Sequence, residues 1–159
     1  MITKIYNEGT TLSILRTNFL KYEYVVGPVQ INNSHWALFV ASIKTQQISY
    51  IDPLGASETD KNLVYNNWRI FCNQRSMKNL TWTAYNPNHI LQTDDCNCGV
   101  YVCYFYKKYT EQNLNSLQMQ FNIEAFRLEI NQTIMSQIIK KKIKFYLNIV
   151  PINKTIILL

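Results

Sequence analysis

The stretch "QTDDCNCGVYVC", residues 92–103, holds three of the chain's four cysteines. A CxC pair can be a metal clip, half of a disulfide, or the mount for a reactive thiol. Three further residues favour the third reading, with Cys98 as the thiol. His35 opens the apolar run "HWALFVASIK" (35–44), Asp52 closes "QQISYID" (46–52), and Gln92 stands six positions before Cys98. A thiol at the start of a helix feels the positive end of the helix dipole, which favours thiolate. A neighbouring imidazole adds to this as an ion-pair partner. A carboxylate behind the ring fixes its tautomer and orientation. The Gln92 amide and a backbone N–H near Cys98 are suited to a developing oxyanion. Gly99 lets a substrate backbone come close to the sulfur. These parts together make acyl transfer through a thioester.

The flanking elements must bring those residues together. The runs 35–44 and 46–52 read as two strands joined by a short hairpin turn. Antiparallel pairing sets the start of one beside the end of the other, so His35 and Asp52 share an edge of the sheet. "YVVGPVQIN" (24–32) reads as a strand interrupted at Gly27-Pro28, and "LTWTAYN" (80–86) as another. Helices are expected over 10–20, capped by Thr10 or Thr11, over 57–76, capped by Ser57, and over 98–109. The longest lies over 122–141, with Ile123, Phe126, Ile130, Ile134 and Ile138 on one face. In the helix after Ser57 the expected apolar side is Leu63, Trp68, Ile70, Phe71 and Cys72. Strands come first and helices mostly after. The fold class is therefore α+β, a small, mostly antiparallel sheet flanked by helices, with Cys98 at a helix N-terminus. No internal repeat or Gly/Ser linker divides the chain. Residues 1–143 read as a single catalytic domain and 144–159 as a hydrophobic tail.

"HW" at 35–36, "YIDPLG" at 50–55 and "QTDDCNCGVYVC" at 92–103 resemble the ubiquitin-like-protein cysteine proteases, the SUMO-protease family, of whose clan the adenovirus protease is a more distant member. Each motif is weak alone; their joint order and spacing are specific, and the resemblance covers roughly residues 24–139. It implies a peptidase or isopeptidase that cleaves after a Gly-Gly terminus of a ubiquitin-like modifier. His35, Asp52 and Cys98 then form the triad and Gln92 the oxyanion hole. Trp36 covers the channel that admits the Gly-Gly tail, and Gly99 contributes to substrate binding. The implied partners are a SUMO-like protein and its conjugates, met by a monomer without cofactor or metal. Two departures stand out. The family usually has Asp just before the nucleophile where this chain has Asn97, expected to cap the helix about as well. No Trp precedes His35 to form the opposite channel wall, which leaves Tyr22 and Tyr24 as substitutes. Two alternatives stay open: a clan-related acetyltransferase, and a binding module that kept the fold with little turnover.

The chain has 159 residues, 47% hydrophobic and only 16% charged, enough apolar material for one sizeable core. The net charge of +6 and pI near 9.1 come from scattered Lys and Arg, apart from "KKKIK" at 140–144. That scatter argues against a nucleic-acid groove. Four cysteines are too few for a disulfide scaffold. Zinc sites prefer paired CxxC-type halves, and only Cys72 or His89 could complete a set with Cys96, Cys98 and Cys103. Cys103 is expected in the core beside Val100, and Cys96, Asp94 and Asp95 in a solvated loop. His89 is the rival base, without a matched carboxylate. No run of about 18 apolar residues predicts a membrane span, and "MITKIYNEGT" lacks the apolar region of a signal peptide. The expected setting is intracellular, in nucleus or cytoplasm.

Overall fold

The strand carrying His35 is apolar on both faces because it lies at the centre of a sheet covered on both sides. The computed structural model describes residues 18–74, 77–111, 114–147 and 157–158, with side chains described only as far as 136. The helix expected over 10–20 falls largely outside them; from it, Phe19–Lys21 is a 3-10 turn with Asn18 as its cap. Five strands form one sheet: β1 (Tyr24–Ile31), β2 (His35–Ser42), β3 (Gln47–Ile51), β4 (Thr83–Ala84) and β5 (Ile157–Leu158). Their order is β4-β3-β2-β1-β5. The central three are antiparallel, and a two-residue parallel strand joins each edge. The sheet is thus mixed only at its edges, and its three long strands are antiparallel, as expected. The expected strand over 80–86 shrinks to Thr83–Ala84, tied in by the Gln46 carbonyl and the Ile48 carbonyl.

β1 is continuous, not interrupted at Gly27-Pro28: Gly27 pairs with Phe39 and Pro28 with Leu38. β5 reaches only Val25 and Val26, so among the described residues no strand pairs with β1 on that side at Pro28. A missing N–H is tolerated there. The turn into β2 passes through Asn32 (φ 49) and Asn33 (φ 59), in the left-handed region that Asn visits at low cost. It puts Ile31 opposite His35, so the imidazole is the first side chain of β2.

Alternation along the strands sends the two faces to different helices. Ala37, Phe39, Ala41, Ile48 and Tyr50 meet α1 (Glu58–Asn73), where Trp68 stacks on Phe71 and contacts Phe39 and Trp82. α1 begins at Ser57, whose Oγ accepts the Asp60 N–H at 3.1 Å. Its buried stripe is Val64, Tyr65, Trp68, Phe71 and Cys72; the expected Leu63 and Ile70 are more than half exposed. At about 100° per residue they point about 140° and 160° away from Trp68. Leu38, Val40 and Ile51 meet α2 (Cys98–Thr110) through Tyr101, Val102, Phe105 and Tyr109. Tyr104 stacks on Phe121 and, edge-on, on Phe126, which docks α3 (Ile123–Leu147) on α2. Of the expected α3 face, Phe126 is buried, Ile123 and Ile130 partly so, and Ile134 exposed; the side chain of Ile138 is outside the described set.

Candidate active site

β2 and β3 pair with Leu38 opposite Ile51, so Asp52 emerges beside the first residues of β2. His35 Nε2 donates to Asp52 Oδ1 at 2.6 Å. Both side chains are largely shielded from water, Asp52 almost fully. The second ring nitrogen of His35, Nδ1, is left to act on another group. Asp52 is itself held. Its Oδ1 also accepts the Leu54 N–H at 2.8 Å, and its carbonyl accepts the Gly55 N–H at 2.9 Å. Gly55 has φ 92, a conformation suited to glycine.

His89, the rival base, has another place. Its ring nitrogens face the carbonyl oxygens of Asp52 (2.9 Å) and Pro87 (3.1 Å), and its ring lies edge-on to Phe105. It braces the Asp52 turn from behind. The same turn holds the approach to Cys98: the Pro53 carbonyl accepts the Gln92 N–H at 2.8 Å. The acid and the expected oxyanion donor are therefore tied to one another by backbone.

Cys98 is the first residue of α2 and is mostly buried. α2 packs on β2, the strand that starts at His35. Cys98 opens on a cleft of about 600 Å³ whose walls include Ser34, Trp36, Gly99, Cys103 and Arg127. Trp36 is 37% exposed and forms a wall there rather than core. A Cβ on Gly99 would meet nothing within 4 Å. Packing within the chain therefore does not demand glycine at this point, and Gly99 lines the cleft. Gln92 is buried, with its Nε2 donating to the Asp94 carbonyl at 2.6 Å. One N–H of that amide is thereby fixed and the other left over.

Asn97 precedes α2 but makes no side-chain cap, against the expectation that it would. Its amide is engaged elsewhere, with Asp94 and Arg127. The N–H groups of Cys98 and Gly99, at the first turn of a helix, have no intrahelical acceptor. Their uncapped state suits them to an anionic oxygen.

Three expectations change. Cys103 is exposed and lines the cleft rather than packing in the core. Tyr24 pairs with Ser42, at the far end of β2 from His35, about 24 Å along the strand. Its ring contacts Tyr109. Tyr24 and its near neighbour Tyr22 thus do not face Trp36 across a channel. Asp94 is no free solvated acid: its carboxylate accepts three hydrogen bonds. Sequence reading missed the roles of Asp94, His89 and Arg127. An Asp three residues before the residue that precedes a helix is a recognisable turn signal; Arg127, thirty positions on from Asn97, left none.

Among the described residues no group of His, Cys, Asp and Glu is arranged to hold a metal ion, and no helix is long and apolar enough to cross a membrane.

Among curated proteins no sequence matches this chain. Solved structures match in fold. The C-terminal Ulp1 protease domain in complex with Smt3, the yeast ortholog of SUMO, shares 19% identity at a TM-score of 0.60, covering 70% of this chain and 54% of that one. The SUMO protease Ulp1 with its catalytic cysteine oxidised to a sulfenic acid shares 19% at 0.59, covering 79% and 59%. A de-sumoylating protease shares 16% at 0.53, covering 73% and 47%. The chain thus spans about half the length of these relatives. The sequence model described as "Ulp1 protease family, C-terminal catalytic domain" matches residues 5–142, and on that match the chain belongs to the Ulp1 protease family.

Proposed function

We propose that this chain is a cysteine peptidase that cleaves after the Gly-Gly terminus of a SUMO-like modifier, acting on precursors or conjugates. The observation that carries the reading is the His35–Asp52 hydrogen bond at the end of the sheet against which the Cys98 helix packs. In this reading Cys98 Sγ attacks the carbonyl carbon of the terminal glycine. The carbonyl oxygen takes up negative charge and is met by the free Gln92 N–H and the uncapped N–H groups of α2. His35 Nδ1–H gives its proton to the departing amine, leaving a thioester. The same nitrogen then takes a proton from water, which attacks the thioester and frees Cys98. Asp52 holds Nε2–H throughout, so the proton moves at Nδ1.

The cleft fits a chain end without side chains. Trp36 walls it and Gly99 leaves its floor clear. The residues through 143 form the catalytic domain in this proposal. The segment beyond is less separate than a tail, since α3 runs through Leu147 and Ile157–Leu158 join β1. Four free cysteines fit a reducing compartment, the cytoplasm or nucleus.

The test is a panel of ubiquitin-like proteins bearing a C-terminal electrophile. A covalent adduct is expected with a SUMO-like member, and its loss in Cys98→Ala. A folded protein that forms no adduct with any member would overturn the reading. In the active enzyme, Gln92→Ala is expected to lower kcat on the order of a hundredfold.

A further inference from the structure

Asp94 is the most heavily bonded residue of the loop between Gln92 and Cys98. Its Oδ1 accepts the backbone N–H groups of Cys96 (3.0 Å) and Asn97 (2.8 Å). Its Oδ2 accepts Asn97 Nδ2 at 3.0 Å. Its carbonyl oxygen accepts Gln92 Nε2 at 2.6 Å. Asn97 Oδ1 in turn accepts from the guanidinium of Arg127, on α3. One chain of hydrogen bonds therefore runs from α3 through Asn97 to Asp94, which also holds the Gln92 amide.

The chemistry of this chain dictates its middle member. Arg127 can only donate and an ionised Asp94 can only accept. The residue between them must accept from one and donate to the other, which a short amide does. A carboxylate at 97 would satisfy Arg127 but confront Asp94 with a like charge. That is the physical reason for Asn at a position where the family usually has Asp. It also explains the missing cap: an amide spent sideways cannot turn toward the helix, so the first N–H groups of α2 stay open.

We propose that Asp94 and Asn97 are a matched positioning pair that sets the Gln92 amide and the Cys98 helix terminus in one geometry. The proposal rests on Cys98 as the nucleophile. Neither residue touches the reacting atoms; both act through Gln92 and the backbone at 97 and 98. The effect should appear in the chemical step, so kcat falls while KM stays near that of the parent chain.

The polarity of the pair gives the experiment. Asp94→Asn brings two amide donors together, and Asn97→Asp brings two carboxylates together. The double variant Asp94→Asn/Asn97→Asp restores a donor facing an acceptor and still offers Arg127 a partner. Each single variant is expected to lose about tenfold or more in kcat on a Gly-Gly coumarin amide, and the swap to return to within a few-fold. The rate of Cys98 alkylation by iodoacetamide, measured without substrate, is expected to follow the same pattern. Arg127→Gln, at the outer link, should lose only several-fold. Singles with unchanged kcat and alkylation rate, or a swap as impaired as the two losses combined, would overturn the pair. A parent chain that cleaves no Gly-Gly substrate would overturn the enzymatic reading instead, and the alkylation cycle would still decide on the pair. Circular dichroism melts identify any variant that fails to fold. If a single variant unfolds, a swap that refolds supports the matched pair and one that stays unfolded refutes it.

Discussion

Gly99→Ala separates what the fold wants from what the site wants. Gly99 lies in the first turn of α2, has no positive φ, and has no heavy atom within 4 Å of where a Cβ would stand. For the folded chain alone, alanine is then the better residue. It removes backbone freedom from the unfolded state and favours helix, worth about 0.5–1 kcal/mol. For a domain of this size that raises the melting temperature by roughly 1–4 °C. Gly99 lines the cleft beside Cys98, where the proposed function has a substrate backbone pass close to the added methyl. Overlap of one methyl in a close-fitting site costs about 1–3 kcal/mol, a fall in kcat/KM of roughly 5- to 150-fold. The assay pairs a thermal melt with turnover of a Gly-Gly coumarin amide, and adds iodoacetamide labelling of Cys98. Melting should rise, turnover should fall, and labelling by the small reagent should stay within a few-fold. A variant that melts higher yet turns over like the parent would refute the claim that substrate backbone passes over Gly99. One that melts lower would refute the reading of open space.

Asp52→Asn replaces a charge-assisted hydrogen bond at 2.6 Å with a neutral contact; steady-state kinetics should show a loss of roughly 10- to 150-fold in kcat, and full activity would sink the proposed role. His35→Ala should abolish turnover, whereas His89→Ala, which removes the brace on the Asp52 carbonyl together with the Pro87 and Phe105 contacts, should cost up to about tenfold; the reverse ranking would make His89 the base. The Asp94 carboxyl is held below its ordinary 3.8, first by the Asn97 amide and then by backbone N–H groups. Its contribution to stability is therefore complete above pH 3.8 and is lost as pH falls through the lower folded value. In urea melts, Asp94→Asn should be less stable than the parent chain at pH 6, with the gap closing below about pH 3.8.

What the sequence made legible is what short-range pattern controls. An apolar run with its partner run four residues away can form little but a hairpin, and the hairpin alone brings His35 to Asp52. The cap at Ser57 and the start of α2 followed from local chemistry in the same way. Failures came where geometry depends on what packs from elsewhere. Leu63 and Ile70 are apolar but lie off the stripe centred on Trp68, so counting apolar residues in a window misplaced them. Cys103 follows the buried Tyr101 and Val102 yet lies about 160° from Phe105 around the helix, on the cleft side. The strand over 80–86 alternates well enough, but its partner, β3, offers only Gln47 and Ile48 as parallel neighbours.

The site shows the same division more sharply. Residue types and spacing named its candidate groups, because the proposed nucleophile, base and acid are identified by what they are. They did not reveal how the groups are held, because a hydrogen bond between Arg127 and Asn97 joins positions whose distance along the chain carries no signal. Asn97 illustrates the cost. Judged against its neighbours it is a helix cap, since Asn before a helix usually is one. Judged against α3 it cannot be, since Arg127 and Asp94 use both ends of its amide. Helix propensity and catalysis make opposite demands here: a capped terminus would be more stable, and an open one has N–H groups to offer a substrate. Drawing Asn97 sideways answers the second demand at the expense of the first. The hydrogen bonds of Asp94 to the N–H groups of Cys96 and Asn97 then recover, one residue earlier, part of the stability that a cap would have supplied.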